Sequence, residues 1–416
     1  MPIYPERWKS LLSRYQDEKR PHRMLALDGG GIRGLITLGI LSNLENLIAQ
    51  HTEHKRLCDY FDYIAGTSTG AIIAAGLAMG MSTAQLIKFY EDNGEDMFSH
   101  ARLIERVKYF YTADPLKVKL QAVFGANTTL EPADDPQQQK LQSLLLVVTK
   151  NVTTDSPWPI SSNPDAKYND SGNAQKNLPG RKDCNLKIPL WQLVRASTAA
   201  PVYFPPEILQ WDPGNPAKTF VFVDGGVTPH NNPAFLLYRM ATEPAYRLNW
   251  TTGEKQMLII SVGTGAAESM GATAVAPNRN IGSALMGLPG ELMYGILVEQ
   301  DVNCRTVGRC TYGAHLDREI LDLVPRQLDP KTAATMSLEE QYQAPRISLS
   351  TDLGRRFLYA RYNADLSRKA LDALGFSNVD ADKIQKMDAV ENIPTLLKIG
   401  KEAGKVVDAA HFGPFI

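Results

Sequence analysis

Short runs of β-branched and aliphatic residues alternate with stretches whose apolar residues recur every three or four positions, through the first two thirds of the chain. Such alternation is typical of a mostly parallel sheet covered by helices. The runs that predict strands are RMLALD (23–28), FDYIAGT (61–67), SLLLVVTKNV (143–152), FVFVDG (220–225) and QMLIISVGT (256–264). We therefore expect an α/β fold, with a mostly parallel central sheet flanked by helices.

Three of these runs end in a glycine-containing turn that carries a polar side chain. Asp28 precedes GGGIRG, Ser68 lies inside GTSTG, and Asp224 precedes two glycines. In open α/β sheets, the functional site lies outside the carboxyl ends of the strands. The three turns are therefore expected to converge in one crevice.

The rest of the chain predicts additions to this sheet. The stretch from Asn151 to Cys184 is dense in Pro, Asn, Asp, Ser and Gly, which predicts a long surface excursion. From about Pro330 onward the pattern turns helical, as in DLGRRFLYARYNADLSRKALDALGF and ENIPTLLKIGKEAGKVV. The predicted organisation is an N-terminal segment (1–22), an α/β domain (23–330) and a helical C-terminal extension packed on the core (331–416).

Composition narrows the classes of partner. With 44 Lys and Arg against 45 Asp and Glu, the chain carries no overall charge that would attract a nucleic-acid polymer or an anionic membrane. The N-terminal stretch lacks the apolar core of a signal peptide, so a cytoplasmic protein is expected, with any membrane contact peripheral. The four cysteines show no spacing suited to zinc, so we expect buried free thiols and no metal site.

The GTSTG turn at Gly66 to Gly70 has two interpretations. In the first, it is an elbow between a strand and a helix that projects the Ser68 hydroxyl as a nucleophile, with flanking glycines that permit close backbone approach. In the second, Ser68 only caps the helix that follows. The five-residue pattern is weak by itself, but a strand pattern before it and a small-residue helix pattern after it favour the nucleophile.

The DGGGIRG stretch also has two interpretations. It matches Gly-x-Gly-x-x-Gly between a strand and a helix, which is typical of dinucleotide binding. Against this, Asp28 would lie beside a pyrophosphate, and the expected second strand with an acidic ribose partner is replaced by the Ser68 turn. The alternative is that consecutive glycines present backbone N–H groups as an oxyanion hole.

A serine nucleophile requires a base. The histidines that follow Ser68 are His100, His230, His315 and His411, and only His315 suits the chain order of a Ser-His-acid triad. Asp224 ends a strand run and precedes two glycines, so a direct Ser-Asp dyad is the other arrangement. Since an ordinary Asp is a poor base for a hydroxyl, burial or positioning would have to compensate.

Taken together, these motifs resemble those of the patatin-like phospholipases. The resemblance rests on DGGGIRG, GTSTG, DGG at 224–226 and, before it, the small-residue segment RASTAAPVYFPP, in the family's order from about Met24 to Pro233. It implies a three-layer α/β-hydrolase-like fold in which a Ser-Asp dyad cleaves acyl esters of lipids without metal or organic cofactor. Ser68 would be the nucleophile and Asp224 its base, and the backbone of Gly29, Gly30 and Gly31 would form the oxyanion hole.

Other residues of these motifs have less specific expected roles. Arg33 would contact a lipid phosphate or anchor its loop, and Gly34 would support the same loop. Asn231 and Asn232 would hold the aspartate loop through their side chains or cap the next helix.

The resemblance implies a phospholipase A-type hydrolase acting on membrane phospholipids or glycolipids. An apolar surface is then expected near the site, and the stretch from Ser283 to Gln300, with a Pro-Gly break, is the candidate, although a buried helix pair explains it too. Three alternatives stay open: an antiphage effector gated by a cyclic oligonucleotide, a triad esterase that uses His315, and an acyltransferase. The lipid head group, the acyl chain and the oligomeric state are not predicted by these patterns.

Overall fold

The predicted strands pair into one central sheet in the computed structural model. The structure describes residues 11, 14, 20–98, 115–131, 141–170, 172–173, 178–179, 183–201, 204–212, 214–267, 281–317 and 319–416. The strands are β1 (His22–Leu27), β2 (Tyr63–Thr67), β3 (Leu144–Asn151), β4 (Ser156–Ser161), β5 (Gly172–Asn173), β6 (Leu178–Pro179), β7 (Glu207–Gln210), β8 (Thr219–Asp224), β9 (Met257–Val262), β10 (Arg309–Tyr312) and β11 (Leu358–Tyr362).

The central sheet has the order β10-β11-β9-β1-β2-β3-β8-β7, with β4 paired to β3, while β5 and β6 pair only with each other. The strands from β10 to β3 run parallel, and β4, β8 and β7 add antiparallel pairs at one side. The expected mostly parallel α/β sheet is confirmed. Every residue of β2 and β9 is buried, as expected for strands covered on both faces.

Helices connect and cover these strands. They are α1 (Gly34–His51), α2 (Leu57–Tyr60), α3 (Thr69–Ala78), α4 (Thr83–Phe98), α5 (Pro115–Phe124), α6 (Leu190–Ser197), α7 (Ala234–Thr242), α8 (Ile281–Val307), α9 (Pro330–Ala333), α10 (Leu338–Gln343), α11 (Arg368–Ala373), α12 (Ala381–Ile384) and α13 (Ile393–Ala403). The helix α3 is buried along its whole length, so it packs beneath the neighbouring layers rather than at the surface. Among the residues described, none of the helices combines the length and the apolarity needed to cross a membrane.

The C-terminal region is largely helical, but it also contributes a strand to the interior of the sheet. Within the stretch that predicts a helix, Leu358–Tyr362 instead form β11, which pairs with β9 on one side and β10 on the other. The prediction of a helix there is wrong. A strand that is buried on both faces shows no alternation of apolar and polar residues, so its sequence is not distinguished from that of a buried helix. A cut after residue 330 would therefore remove an inner strand.

The excursion from Asn151 to Cys184 also differs from the expectation. It begins as a β-hairpin, since Ser156–Ser161 pair antiparallel with β3. The aromatic ring of Trp158 then packs among Trp211, Phe220 and Phe222. This first part of the segment therefore belongs to the sheet rather than to a surface loop.

The candidate apolar surface at Ser283–Gln300 falls on α8, which runs through the expected Pro-Gly break without interruption. The side chains of Tyr294, Ile296 and Leu297 are half-buried. The four cysteines are all buried and free, as the sequence predicts.

Candidate active site

Strand register brings two of the three predicted turns together. Thr67 at the end of β2 lies beside Val148 of β3, and the next residue of β3, Thr149, lies beside Asp224 at the end of β8. Ser68 follows Thr67 directly, so the two residues meet across the end of β3. The convergence expected from strand ends therefore occurs for Ser68 and Asp224.

The backbone of Ser68 adopts a conformation that non-glycine residues rarely use. Its φ is 55° and its ψ is -124°, and it precedes the first residue of α3. Strain of this kind persists only where the surrounding structure enforces it, and it is concentrated at functional sites. Here a Cβ atom at Gly70 would lie 2.6 Å from the Asp28 carbonyl oxygen, so a glycine is required for the elbow to pack against the end of β1.

The Ser68 hydroxyl donates a hydrogen bond to Asp224. The distance from Ser68 Oγ to Asp224 Oδ2 is 2.6 Å, and the other carboxylate oxygen, Oδ1, accepts the Gly226 amide at 2.6 Å. Burial raises the pKa of Asp224 from its ordinary 3.8 to about 6, although these two hydrogen bonds and the charge of Arg195 act to lower it. The carboxylate is thus still ionised at neutral pH, and it is a stronger base than an exposed Asp.

The glycine-rich loop lies beside this pair, but its three glycines differ. The Gly29 amide already donates to the Asn231 carbonyl at 3.2 Å, whereas the amides of Gly30 and Gly31 have no hydrogen-bond partner within the described part of the chain. A Cβ atom at Gly29 would lie 3.2 Å from Ser68 Cβ, so the loop passes directly against the serine. Of the three glycines expected to form an oxyanion hole, Gly29 thus has its amide already bonded within the fold.

The C-terminal region closes over the same loop. Gly31 has a φ of 61°, and a Cβ atom there would collide with the backbone of Met387. The Ile32 amide donates to the Met387 carbonyl oxygen at 2.9 Å. The conformation of the glycine loop therefore depends on a residue that follows it by more than 350 positions.

Asp28 supports the loop from behind instead of facing the crevice. It is buried and forms a two-pronged ion pair with Arg361 of β11, with distances of 2.9 Å and 2.5 Å, and Arg361 also donates to Ser261 at 2.7 Å. Burial raises the pKa of Asp28, and the Arg361 charge opposes that increase. The local sequence around Arg361 carries no signal for this pairing.

Arg33 and Gly34 have structural contacts in this structure. The guanidinium of Arg33 donates to the Gly265 carbonyl at 3.1 Å and, more weakly, to the Gly30 carbonyl at 3.4 Å. These contacts anchor the glycine loop, which is one of the two roles expected of Arg33. A Cβ atom at Gly34 would lie 2.5 Å from Thr69 Oγ1, so this glycine allows α1 to approach the start of α3.

The two asparagines after the aspartate loop divide the expected roles. The Asn231 carbonyl accepts the Gly29 amide, and the side-chain Oδ1 of Asn231 is buried without a hydrogen-bond partner among the residues that the structure describes. The side chain of Asn232 accepts the amide of Ala234, the first residue of α7, at 3.0 Å, although Pro233 is the residue at the N-cap position. Asn232 also accepts a hydrogen bond from Ser261 at 3.3 Å.

Within the described residues, no histidine is hydrogen-bonded to Ser68 or Asp224. His315 is exposed and contacts the ring of Tyr342, and His411 is bonded to Tyr362 at 2.9 Å. His230 contributes its backbone carbonyl to Thr67, and His100 lies outside the described residues. In the same part of the chain, no three His, Cys, Asp or Glu side chains are grouped as ligands for a metal ion.

The family described as patatin-like phospholipase matches residues 25–238, a span that includes the glycine loop, the serine elbow and the aspartate turn. The chain belongs to this family. It is 29% identical over 252 residues to a cGAMP-activated phospholipase of Escherichia coli (strain TW11681), covering 58% of this chain and 62% of that protein. It is also 29% identical over 268 residues to patatin-15 of Solanum tuberosum, covering 61% and 63%.

This chain therefore spans less than two thirds of the length of these patatin-like relatives. Among solved structures, human GIVD cytosolic phospholipase A2 aligns with a TM-score of 0.42 at 13% identity, over 95% of this chain and 61% of that one.

Proposed function

We propose that this patatin-like protein is a phospholipase A-type lipid acyl hydrolase that cleaves fatty-acyl esters of membrane phospholipids or glycolipids. The observation that carries the proposal is the 2.6 Å hydrogen bond from the strained Ser68 to a buried carboxylate of raised pKa. A nucleophile within hydrogen-bond reach of its base is the arrangement that covalent catalysis requires.

In the first half of the reaction, Ser68 Oγ attacks the ester carbonyl carbon while its proton passes to Asp224 Oδ2. The negative charge that develops on the carbonyl oxygen is held by the amides of Gly30 and Gly31. Asp224 then gives its proton to the departing alcohol of the lysolipid, which leaves the fatty acyl group as an ester on Ser68.

In the second half, Asp224 takes a proton from a water molecule that attacks this acyl ester. The fatty acid departs and the proton returns to Ser68. No histidine is needed in this scheme, because burial raises the pKa of Asp224 to about 6 and so increases its basicity. An alcohol in place of the water would give acyl transfer from the same intermediate.

The test is fatty-acid release from vesicles that contain phosphatidylcholine, phosphatidylethanolamine, phosphatidylglycerol and galactolipid. We expect release by wild type and a loss of at least about 1,000-fold in both Ser68→Ala and Asp224→Asn, since members of a catalytic unit act together. Ser350→Ala, which removes an exposed hydroxyl, is the matched control. Full release by either dyad variant, with folding verified by circular dichroism, would refute the proposed mechanism.

A second candidate is the same hydrolase under the control of a cyclic nucleotide. It is favoured by the similarity to a relative whose name describes it as cGAMP-activated. The vesicle assay is therefore run with and without cGAMP and other cyclic oligonucleotides. Release that requires one of these activators supports the gated enzyme, whereas equal release in their absence supports constitutive hydrolysis.

A further inference from the structure

We propose that Ser197 is a positioning residue, whose buried hydroxyl holds the Ser68 backbone in the conformation that directs Oγ at Asp224. The inference rests on the proposed function. Ser197 is the last residue of α6, and its side chain has no exposure to solvent. It acts through Ser68 and would not itself contact the substrate.

The Ser197 hydroxyl is bonded on both sides. Its Oγ donates to the Val148 carbonyl oxygen at 2.7 Å and accepts the Ser68 amide at 2.9 Å. A hydroxyl has one hydrogen and two lone pairs, so the donation to β3 turns a lone pair toward the serine elbow. The Ser197 hydroxyl thus links the Ser68 amide to β3, the strand that lies between Ser68 and Asp224.

This hydrogen bond acts on Ser68, whose backbone conformation is strained. With a φ of 55° and a ψ of -124°, Ser68 needs outside contacts to remain in its conformation. If the Ser197 hydroxyl is removed, the Ser68 amide loses its acceptor, and the elbow is free to relax toward an ordinary turn. Relaxation would move Ser68 Oγ away from the 2.6 Å contact with Asp224.

The same segment also holds the other member of the pair. The Asp224 amide donates to the Ala199 carbonyl oxygen at 2.9 Å, two residues after Ser197. Ser197 therefore contacts the backbone of Ser68, and Ala199 contacts the backbone of Asp224, so these two residues together fix the separation of the pair. Between them, the Thr198 hydroxyl donates to the carbonyls of Val194 and Arg195 in the last turn of α6.

Thr198 provides a matched control, because it is a neighbouring buried hydroxyl without a bond to the dyad. We would measure kcat and KM for p-nitrophenyl butyrate, and the rate at which a fluorophosphonate labels Ser68, in wild type, Ser197→Ala, Ser197→Cys and Thr198→Val. Misplacement of a reacting group by about 1 Å costs about 100-fold in rate. We therefore expect Ser197→Ala to lower kcat and the labelling rate by about 100-fold, with KM within twofold of wild type.

Ser197→Cys keeps a group of similar size that is a weaker acceptor, so its kcat should fall by at least about tenfold, and it remains informative if Ser197→Ala does not fold. Thr198→Val should lose stability to urea with kcat within threefold of wild type. A folded Ser197 variant with kcat and labelling within threefold of wild type would overturn the positioning role alone. If wild type neither turns over the ester nor takes label at Ser68, with or without a cyclic oligonucleotide, the proposed function fails, and the positioning role fails with it.

Discussion

Replacement of Asp224 by asparagine should stabilise the fold while it abolishes activity. The carboxylate is 4% exposed, and burial raises its pKa from 3.8 to about 6. The folded state therefore binds this proton more tightly than the unfolded state, so the contribution of Asp224 to stability falls as the pH rises from 3.8 through 6. Asparagine has nearly the same shape and no charge, so Asp224→Asn is free of this penalty.

The size of the effect follows from the two pKa values. At about 1.36 kcal/mol per unit, the penalty amounts to about 3 kcal/mol at pH 8 and about 1 kcal/mol at pH 4.5. The stability of Asp224→Asn relative to wild type should thus increase by about 2 kcal/mol between these pH values. Any effect of the amide that does not depend on pH cancels in this difference.

Urea unfolding of both proteins at pH 4.5 and pH 8 measures this quantity. Asp352→Asn is the matched control, because Asp352 accepts the amide of Gly354 at 2.8 Å, two residues ahead, as Asp224 accepts that of Gly226, but it does so in solvent. Without a buried charge, this control should show no comparable change with pH. A relative stability of Asp224→Asn that stays constant or decreases from pH 4.5 to pH 8 would show that burial does not raise the pKa of Asp224.

The pH dependence of activity, the buried ion pair and the glycine loop can each be tested separately. Since Asp224 must be ionised to act as a base, kcat/KM should rise about tenfold per pH unit up to about pH 6 and then level off; a flat profile from pH 4.5 to pH 8 would exclude it as the base. Arg361→Met should lower the free energy of unfolding by about 3–5 kcal/mol, because it leaves Asp28 buried and unpaired. Adding Asp28→Asn should restore at least half of the lost free energy in urea unfolding, and no restoration would argue against the pairing. Gly31→Ala should lower the free energy of unfolding by about 1–3 kcal/mol more than Gly354→Ala does. Both glycines have positive φ, but only Gly354 has open space for a methyl group. Equal losses in urea unfolding would contradict the close contact at Gly31.

The proximity of Ser68 and Asp224 could be predicted because it depends on local patterns. Each residue follows a short apolar run and lies within two positions of two glycines, and strand ends in an α/β sheet meet at one edge. By contrast, the three consecutive glycines look equivalent in the sequence. Only the folded backbone distinguishes Gly29, whose amide is bonded to Asn231, from the two glycines that follow it.

The supporting residues could not be predicted, because their partners are remote. Arg361 lies 333 positions from Asp28. A charged residue within an apolar run is expected on the exposed face of a helix, and only the fold shows that the partner of Arg361 is buried. Ser197 lies 129 positions from Ser68. Its only signal is its place in the small-residue segment RASTAAPVYFPP, which indicates close packing but not which atoms meet.

The contacts of Arg361 and Met387 also give the C-terminal region a part in the site. Arg361 is paired with Asp28, which precedes the glycine loop, and the Met387 carbonyl accepts the Ile32 amide within that loop. The region beyond residue 330 therefore helps to hold the glycine loop in place, in addition to packing on the α/β core.

The position of the acyl group during turnover identifies the nucleophile directly. Wild type would be mixed with p-nitrophenyl butyrate, quenched in acid within the first turnovers, digested and mapped by mass spectrometry. If Ser68 is the nucleophile and Asp224 its base, wild type should carry a butyryl ester on the peptide that contains Ser68, and Asp224→Asn and Ser68→Ala should carry none. An acyl group on a different residue, or undiminished turnover by Ser68→Ala, would exclude Ser68 as the nucleophile.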